Sequence, residues 1–219
     1  SFSSIHDFPT AVRPLSVSVG DLNGDGKLDL AVANVASNSA SVLLNTTAPG
    51  ATTPSFSARQ DFATGFNPTL ITVGNLNGDG KLDLVVANSG SDNVSVLVNA
   101  TAPCAGTPSF LTKQDFETSN RPVSVAVGDL NGDGKLDLVT ANSEDGDAAV
   151  LLGDGKAGFT RSPGSPFPVG PGPYPLALAD VNGDAKLDIV APNLGMERGQ
   201  ITVILGDGRG AFRPSPKSP

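Results

Sequence analysis

The chain has 219 residues, with 22 Asp+Glu against 14 Lys+Arg and a formal net charge of −8. That balance argues against a nucleic-acid partner, which needs clustered Lys and Arg. No apolar run reaches the roughly 18 residues of a membrane-spanning helix. A single cysteine, Cys104, excludes an internal disulfide. With neither an initiator Met nor a signal peptide, the chain is expected to be a mature, trimmed or excised form.

The N-terminal "SFSSIHDF" aligns with the later "SFSARQDF", so it reads as a D-type strand ahead of the first complete unit. That unit holds four short runs rich in Val, Leu and Ile, bounded by Gly, Asn and Pro. They are strands A (Leu15–Gly20), B (Leu28–Ala33), C (Ser41–Leu44) and D (Phe56–Phe62). None has the length or the 3.6-residue period of a helix. Between A and B lies "DLNGDGKLD", beginning at residue 21.

The pattern then repeats. "NLNGDGKLD" begins at 75, "DLNGDGKLD" at 129 and "DVNGDAKLD" at 180, so the period is 54, 54 and 51 residues. A proline precedes each loop by seven residues, and the units begin near 14, 68, 122 and 173. After strand C, the third and fourth units carry "LGDGKAGF" and "LGDGRGAF", with the Asp-Gly of a tight hairpin. The first two carry "NTTAPGATTPSF" and "NATAPCAGTPSF", which read as polar surface loops. Phe56, Phe110, Phe159 and Phe212 head the D strands and Phe62, Phe116 and Phe167 end them; Phe2 and Phe8 play these parts at the N-terminus. Such aromatics are expected to pack blade against blade. Only Phe66 stands outside the scheme. Four-stranded units at this period predict an all-β protein: a β-propeller of antiparallel blades, four of them visible, in a single domain over residues 1–219. Five D-type segments serve four A–B–C sets, so either this is part of a longer array or one end of a ring is redundant.

The loops concentrate half of the acidic residues. In the first, side-chain oxygens stand at positions 1, 3, 5 and 9 (Asp21, Asn23, Asp25, Asp29), with the backbone carbonyl of Lys27 at position 7. Such a set suits calcium, which takes six to eight oxygens at about 2.3–2.6 Å. Gly26 at position 6 is expected at positive φ, and Leu28 at position 8 is expected to point into the blade. An EF-hand would need Glu at position 12, where Val32, Val86, Thr140 and Ala191 stand instead. Magnesium wants a stricter octahedron, and zinc wants His or Cys, of which there is one each. Four Ca²⁺ ions would bring the net charge from −8 to neutrality. Asn75 removes one charge from the second loop and Ala185 replaces the turn glycine of the fourth, so loops one and three are expected to bind best.

With "VxVGDLNGDGKLDLxVAN", "VSVLLN" and the closing Phe in view, the chain resembles the FG-GAP/VCBS repeat of integrin α-subunit propellers and many bacterial surface proteins. The resemblance covers nearly the whole chain, four times over. It implies an integrin-type propeller with structural calcium in the A–B loops, away from the usual ligand-binding loops, and full propellers of this family commonly have seven blades. By position it assigns as side-chain ligands Asp21, Asn23, Asp25 and Asp29; Asn75, Asn77, Asp79 and Asp83; Asp129, Asn131, Asp133 and Asp137; and Asp180, Asn182, Asp184 and Asp188, with the backbone carbonyls of Lys27, Lys81, Lys135 and Lys186 at position 7 completing each set.

Catalysis is not expected: His6 is the only histidine and sits in no motif. The reading is a non-catalytic, calcium-binding adhesion or scaffold module of an extracellular or cell-surface protein, with a protein or glycan ligand and no nucleic acid or membrane insertion. A lectin is the alternative, although the chain has no Trp and one Tyr, Tyr174; so is a non-catalytic partner of an enzyme in a longer chain. Sequons stand at Asn45, Asn93 and Asn99, and Cys104 reads as an unpaired residue of a polar loop.

Overall fold

A computed structural model describes residues 5–195 and 199–214. Four separate antiparallel sheets follow one another along the chain, each a meander in which sequence neighbours pair. The first comprises β1 (Pro14–Gly20), β2 (Asp29–Asn34), β3 (Ser39–Leu43) and β4 (Gln60–Ala63). The second comprises β5 (Pro68–Gly74), β6 (Asp83–Asn88), β7 (Asn93–Leu97) and β8 (Gln114–Glu117). The third has β9 (Pro122–Gly128), β10 (Asp137–Asn142), β11 (Asp147–Gly153) and an outer strand split into β12 (Phe159–Arg161) and β13 (Phe167–Pro168). The fourth has β14 (Ala177–Ala179), β15 (Asp188–Asn193), β16 (Gln200–Gly206) and β17 (Phe212–Pro214). This is the all-β blade architecture the repeat predicts.

Strands A to C fall within two residues of their predicted limits in the first blade. Strand D does not: Phe56 makes only an isolated bridge with Asn45, and the ladder resumes at Gln60. The inner strand of the fourth blade is shortened to Ala177–Ala179. Pro175 explains this, since proline offers no amide to a ladder and the other three inner strands have none at this place. The last blade is completed by its own β17. Residues 1–4, Phe2 among them, lie outside the described residues, and residues 5–10 form no strand.

The core lies between blades rather than within them. One apolar cluster joins the first blade to the second through residues such as Leu22, Val42, Ile71 and Leu84. A second, with Leu76, Val96, Val125 and Leu138, joins the second to the third. A third, with Leu130, Val150, Leu176 and Ile204, joins the third to the fourth. Phenylalanines seal the outer rim as expected. Phe62 meets Phe110 edge-on at 4.9 Å, Phe116 meets Phe159 at 5.2 Å and Phe167 meets Phe212 at 5.4 Å. Phe8 meets Phe56 at 4.9 Å in the same way, so the N-terminal segment takes the part of a preceding blade's rim.

One expectation about side-chain direction is corrected. Leu28 does not point into its own blade; it is exposed. Its counterparts Leu82, Leu136 and Leu187 pack into the clusters shared with the preceding blade. Position 8 therefore faces the preceding blade, as Leu82, Leu136 and Leu187 show. The polar loop of the second unit is likewise no free excursion, because Asn99 and Thr101 are buried.

Candidate metal centre

All four acidic loops join an inner strand to the next strand, so the meander places them at one end of the blades. Backbone conformation shapes them. Positions 4 and 6 both have positive φ: Gly24 and Gly26 at 70° and 83°, Gly78 and Gly80 at 74° and 87°, Gly132 and Gly134 at 75° and 78°. In the fourth loop Gly183 stands at 79° and Ala185 at 63°, so the predicted positive φ at position 6 holds even where the residue is Ala.

These two turns aim the loop amides inward at its own side chains. Gly24 N donates to Asp21 Oδ1 at 2.7 Å and Gly26 N to Asp21 Oδ2 at 2.8 Å. Asp129 is held in the same way by Gly132 and Gly134, and Asp180 by Gly183 and Ala185. The Asn at position 3 accepts from the amide of position 5, and the Asp at position 5 from that of position 7: Asp25 N to Asn23 at 3.1 Å and Lys27 N to Asp25 at 2.9 Å in the first loop. The second loop departs from this cradle. Asn75 Oδ1 is buried and has no hydrogen-bond partner among the described residues, unlike the carboxylate of Asp21, both of whose oxygens accept loop amides.

The aspartate at position 9 has a different task. Asp29, Asp83, Asp137 and Asp188 are all fully buried. One oxygen of each accepts the amide of position 2, and the other accepts an amide where strand C ends. For Asp83 these are Leu76 N at 2.9 Å and Asn99 N at 2.8 Å; for Asp137 they are Leu130 N at 2.9 Å and Gly153 N at 2.8 Å. Asp29 and Asp188 repeat the arrangement. Each is thus a post pinning the acidic loop to the third strand. Burial pushes the carboxyls of Asp29, Asp83 and Asp137 above the usual range, against the pull of those amides, and neighbouring loop carboxylates push the same way.

A second set of contacts ties each loop to the following blade. Asn99 Nδ2 donates to Leu22 O at 2.8 Å, and Cys104 N donates to Asn23 O at 2.7 Å. Asn23 Nδ2 answers by donating to Ala105 O at 3.0 Å. Ala157 N reaches Leu76 O and Gly210 N reaches Leu130 O, at 3.3 and 3.2 Å. The C–D connection of one blade is therefore a clamp on the acidic loop of the blade before it. Cys104 is exposed and unpaired, as expected, but its backbone belongs to the clamp.

The predicted residues of each loop are gathered in one turn, and every side-chain donor is an oxygen, which suits a hard cation. Their oxygens face the loop amides, and in the third and fourth loops the position-5 carboxylate also meets the Lys at position 7 (Lys135–Asp133 at 3.4 Å, Lys186–Asp184 at 3.6 Å). Among the described residues, no three Asp, Glu, His or Cys side chains are arranged to hold a metal ion. Thus the donor chemistry fits calcium, while the carboxylates are not drawn to a common point.

Sequence reasoning missed both the clamp and a buried polar seam at the other end of the blades. The Asn that ends each second strand, Asn34, Asn88, Asn142 and Asn193, is buried. Asn88 Nδ2 donates to Ser95 Oγ, which donates to Asp115; Asn34 joins Ser41 and Asp61 in the same way. The recurring "AN" was the available signal. Of the sequons, Asn99 is buried with its Nδ2 committed to Leu22 O and Leu82 O, leaving no room for a glycan.

A family model for the FG-GAP-like repeat matches residues 21–86, 75–140 and 129–191. Among solved structures, BBS1N in complex with ARL6DN is similar over 94% of this chain, with a TM-score of 0.56 and 14% identity. The chain spans 56% of that structure's length. The V. cholerae biofilm matrix protein Bap1 is more distant: TM-score 0.35, 15% identity, 92% of this chain and 38% of Bap1. No curated protein matches the chain. Four blades of one repeat, each opening on the same acidic turn, and a family match running from the first such turn into the fourth blade place this chain in the FG-GAP-like repeat family.

Proposed function

We propose that this chain is a calcium-binding, non-catalytic propeller module of an extracellular or cell-surface protein, acting in protein–protein recognition or adhesion. The observation that carries the reading is the recurrence of one oxygen-only turn at the same end of every blade, with positive φ at the same two positions. Asp21, Asn23, Asp25, the Lys27 carbonyl and Asp29 would hold the ion in the first blade, and their counterparts in the others. Calcium's role is structural: it neutralises the mutual repulsion of the carboxylates and stiffens loops already tied to two blades. Extracellular modules work with calcium Kd values of about 10⁻⁴–10⁻³ M, so the millimolar calcium of that compartment fills such sites from about half to about nine-tenths. In a chain with no disulfide, the ion can act as the staple.

Recognition rests on the architecture, since rigid blades present loops at both ends as a platform. BBS1N, which shares the fold, is seen in complex with ARL6DN. A second reading, carbohydrate binding, has one observation in its favour. Tyr174 is partly exposed and lines a groove with Arg121 between the third and fourth blades; selective binding on a glycan array would support it.

The calcium reading is tested by thermal melting after chelation and after calcium is restored. Saturation at a hundred times Kd contributes about 2.7 kcal/mol per site, or roughly 5–10 °C in a domain of this size. Equal melting temperatures in the two conditions, with no heat of calcium binding by calorimetry, would overturn it.

A further inference from the structure

Each acidic loop carries an Asn-Gly pair: Asn23-Gly24, Asn77-Gly78, Asn131-Gly132 and Asn182-Gly183. Asparagine is among the thermolabile residues, because its side-chain carbonyl carbon can be attacked by the backbone nitrogen of the residue that follows. The turn prepares that approach. In every loop the Asn Oδ1 accepts the amide two residues on, at 3.1, 3.0, 2.9 and 2.9 Å in chain order. Such an Asx turn folds the side chain back over the intervening glycine amide. At Gly78 the space where a Cβ would stand is open, so nothing obstructs ring closure there.

The loops differ in what holds the attacking nitrogen. Gly24 N, Gly132 N and Gly183 N each donate to the position-1 aspartate at 2.7 Å. Position 1 of the second loop is Asn75, and Gly78 N has no hydrogen-bond partner among the described residues. A bond from an amide to a carboxylate is short and strong. It must break before the nitrogen can turn to the Asn carbon, and the same carboxylate repels the negative charge that the nitrogen takes on as it loses its proton. The group to be expelled is held differently too. Asn23 Nδ2 donates to Ala105 O of the next blade at 3.0 Å, whereas Asn77 Nδ2 donates within its own loop, to Asp79 at 3.1 Å. The first three loops share the sequence Leu-Asn-Gly-Asp-Gly, so these differences come from what surrounds it.

We infer that Asn77 is a site of spontaneous deamidation in the folded protein, and that the position-1 aspartate protects the other three Asn-Gly pairs. Gly78 N gives up its proton and forms a bond to Asn77 Cγ; the Cγ–Nδ2 bond breaks and ammonia leaves with that proton. Water then opens the succinimide ring at one of its two carbonyls, leaving aspartate or isoaspartate at position 77. No oxidant or reductant takes part. Either product adds a carboxylate to the one loop that has two acidic residues where the others have three. Isoaspartate also lengthens the backbone by a methylene.

Incubation of the native chain in mildly alkaline buffer, with its peptides followed by mass spectrometry, tests this; chelator throughout keeps the result independent of calcium. Asn77 is expected to convert roughly tenfold or more faster than Asn23, Asn131 or Asn182, the factor set by the weaker bonds between an amide and a charged group. In unfolding urea, Asn23, Asn77 and Asn131 are expected to react at similar rates. Asn75→Asp restores the position-1 carboxylate and is expected to slow Asn77 to the rate of Asn131. Asp129→Asn is expected to bring Asn131 up to the rate of Asn77. An Asn23, Asn131 or Asn182 that converts as fast as Asn77 in the folded native chain overturns the inference. So does an Asn75→Asp variant, shown to be folded by its urea transition, in which Asn77 converts as fast as before.

Discussion

Asp83→Ala separates the two roles of the position-9 carboxylate. Asp83 is fully buried and takes amides from Leu76 at 2.9 Å and Asn99 at 2.8 Å. Both donors belong to residues only 2% exposed, so water cannot readily replace the lost acceptor. Leaving a buried amide unpaired costs about 1–3 kcal/mol, or about 2–6 kcal/mol for two. Removing a carboxylate whose charge is disfavoured by burial returns part of this, so the net loss is about 2–4 kcal/mol. Urea unfolding in the presence of chelator is the assay, because a metal contribution is then absent from both proteins. Asp79→Ala is the control: Asp79 is exposed and accepts Lys81 N at 2.9 Å, so its removal is expected to cost under about 1 kcal/mol in chelator while weakening calcium binding. If Asp83→Ala loses less than about 0.5 kcal/mol under these conditions, the post is not structural and the account of the loop is wrong.

Three further outcomes follow from the geometry. Ala185→Gly relieves a side chain held at φ 63°, and is expected to raise stability by about 1 kcal/mol in chelator and to tighten calcium binding at the fourth loop by calorimetry. Gly153→Ala would put its Cβ 2.2 Å from Leu136 O, so the end of β11 must shift and the urea midpoint is expected to fall by at least the 1–3 kcal/mol typical of overpacking. Asp147, outside the acidic loops, has its carboxyl raised by burial, against hydrogen bonds from Asn142 and Ser119. Because the folded form holds this proton more tightly than the unfolded chain, its contribution to stability falls as pH rises from 3.8 through the folded value. Asp147→Asn is expected to flatten that dependence in unfolding measured from acid to neutral pH.

Much of the fold is legible because each blade is built from local signals. The proline ahead of each inner strand, the Asn-Gly-Asp-Gly turn, the apolar runs and the spaced phenylalanines all act within some fifty residues of one another, and all recur. Gly26 and Ala185 at positive φ follow from the same local logic. The misjudged features depend on partners distant in sequence. Leu28 reads as a core residue in its own unit, but its packing is supplied by a preceding blade. Asn99 reads as a sequon in a polar loop, yet its amide bridges Leu22 and Leu82 across two blades. Strand D is shorter than its run of residues suggests, since Phe56 makes only an isolated bridge with Asn45 and the ladder resumes at Gln60.

By itself, then, the sequence determined the unit: four strands, an oxygen-rich turn at a set place in each, and the number of units, because periodicity and turn chemistry act over short stretches of chain. Only the tertiary structure decided how the units share surface. It moved the core to the joints between blades, and made the position-9 aspartate a post and the C–D loop a clamp. Those outcomes turn on which blade stands next to which, and a repeat carries the same residues whether or not a neighbour is there to bury them.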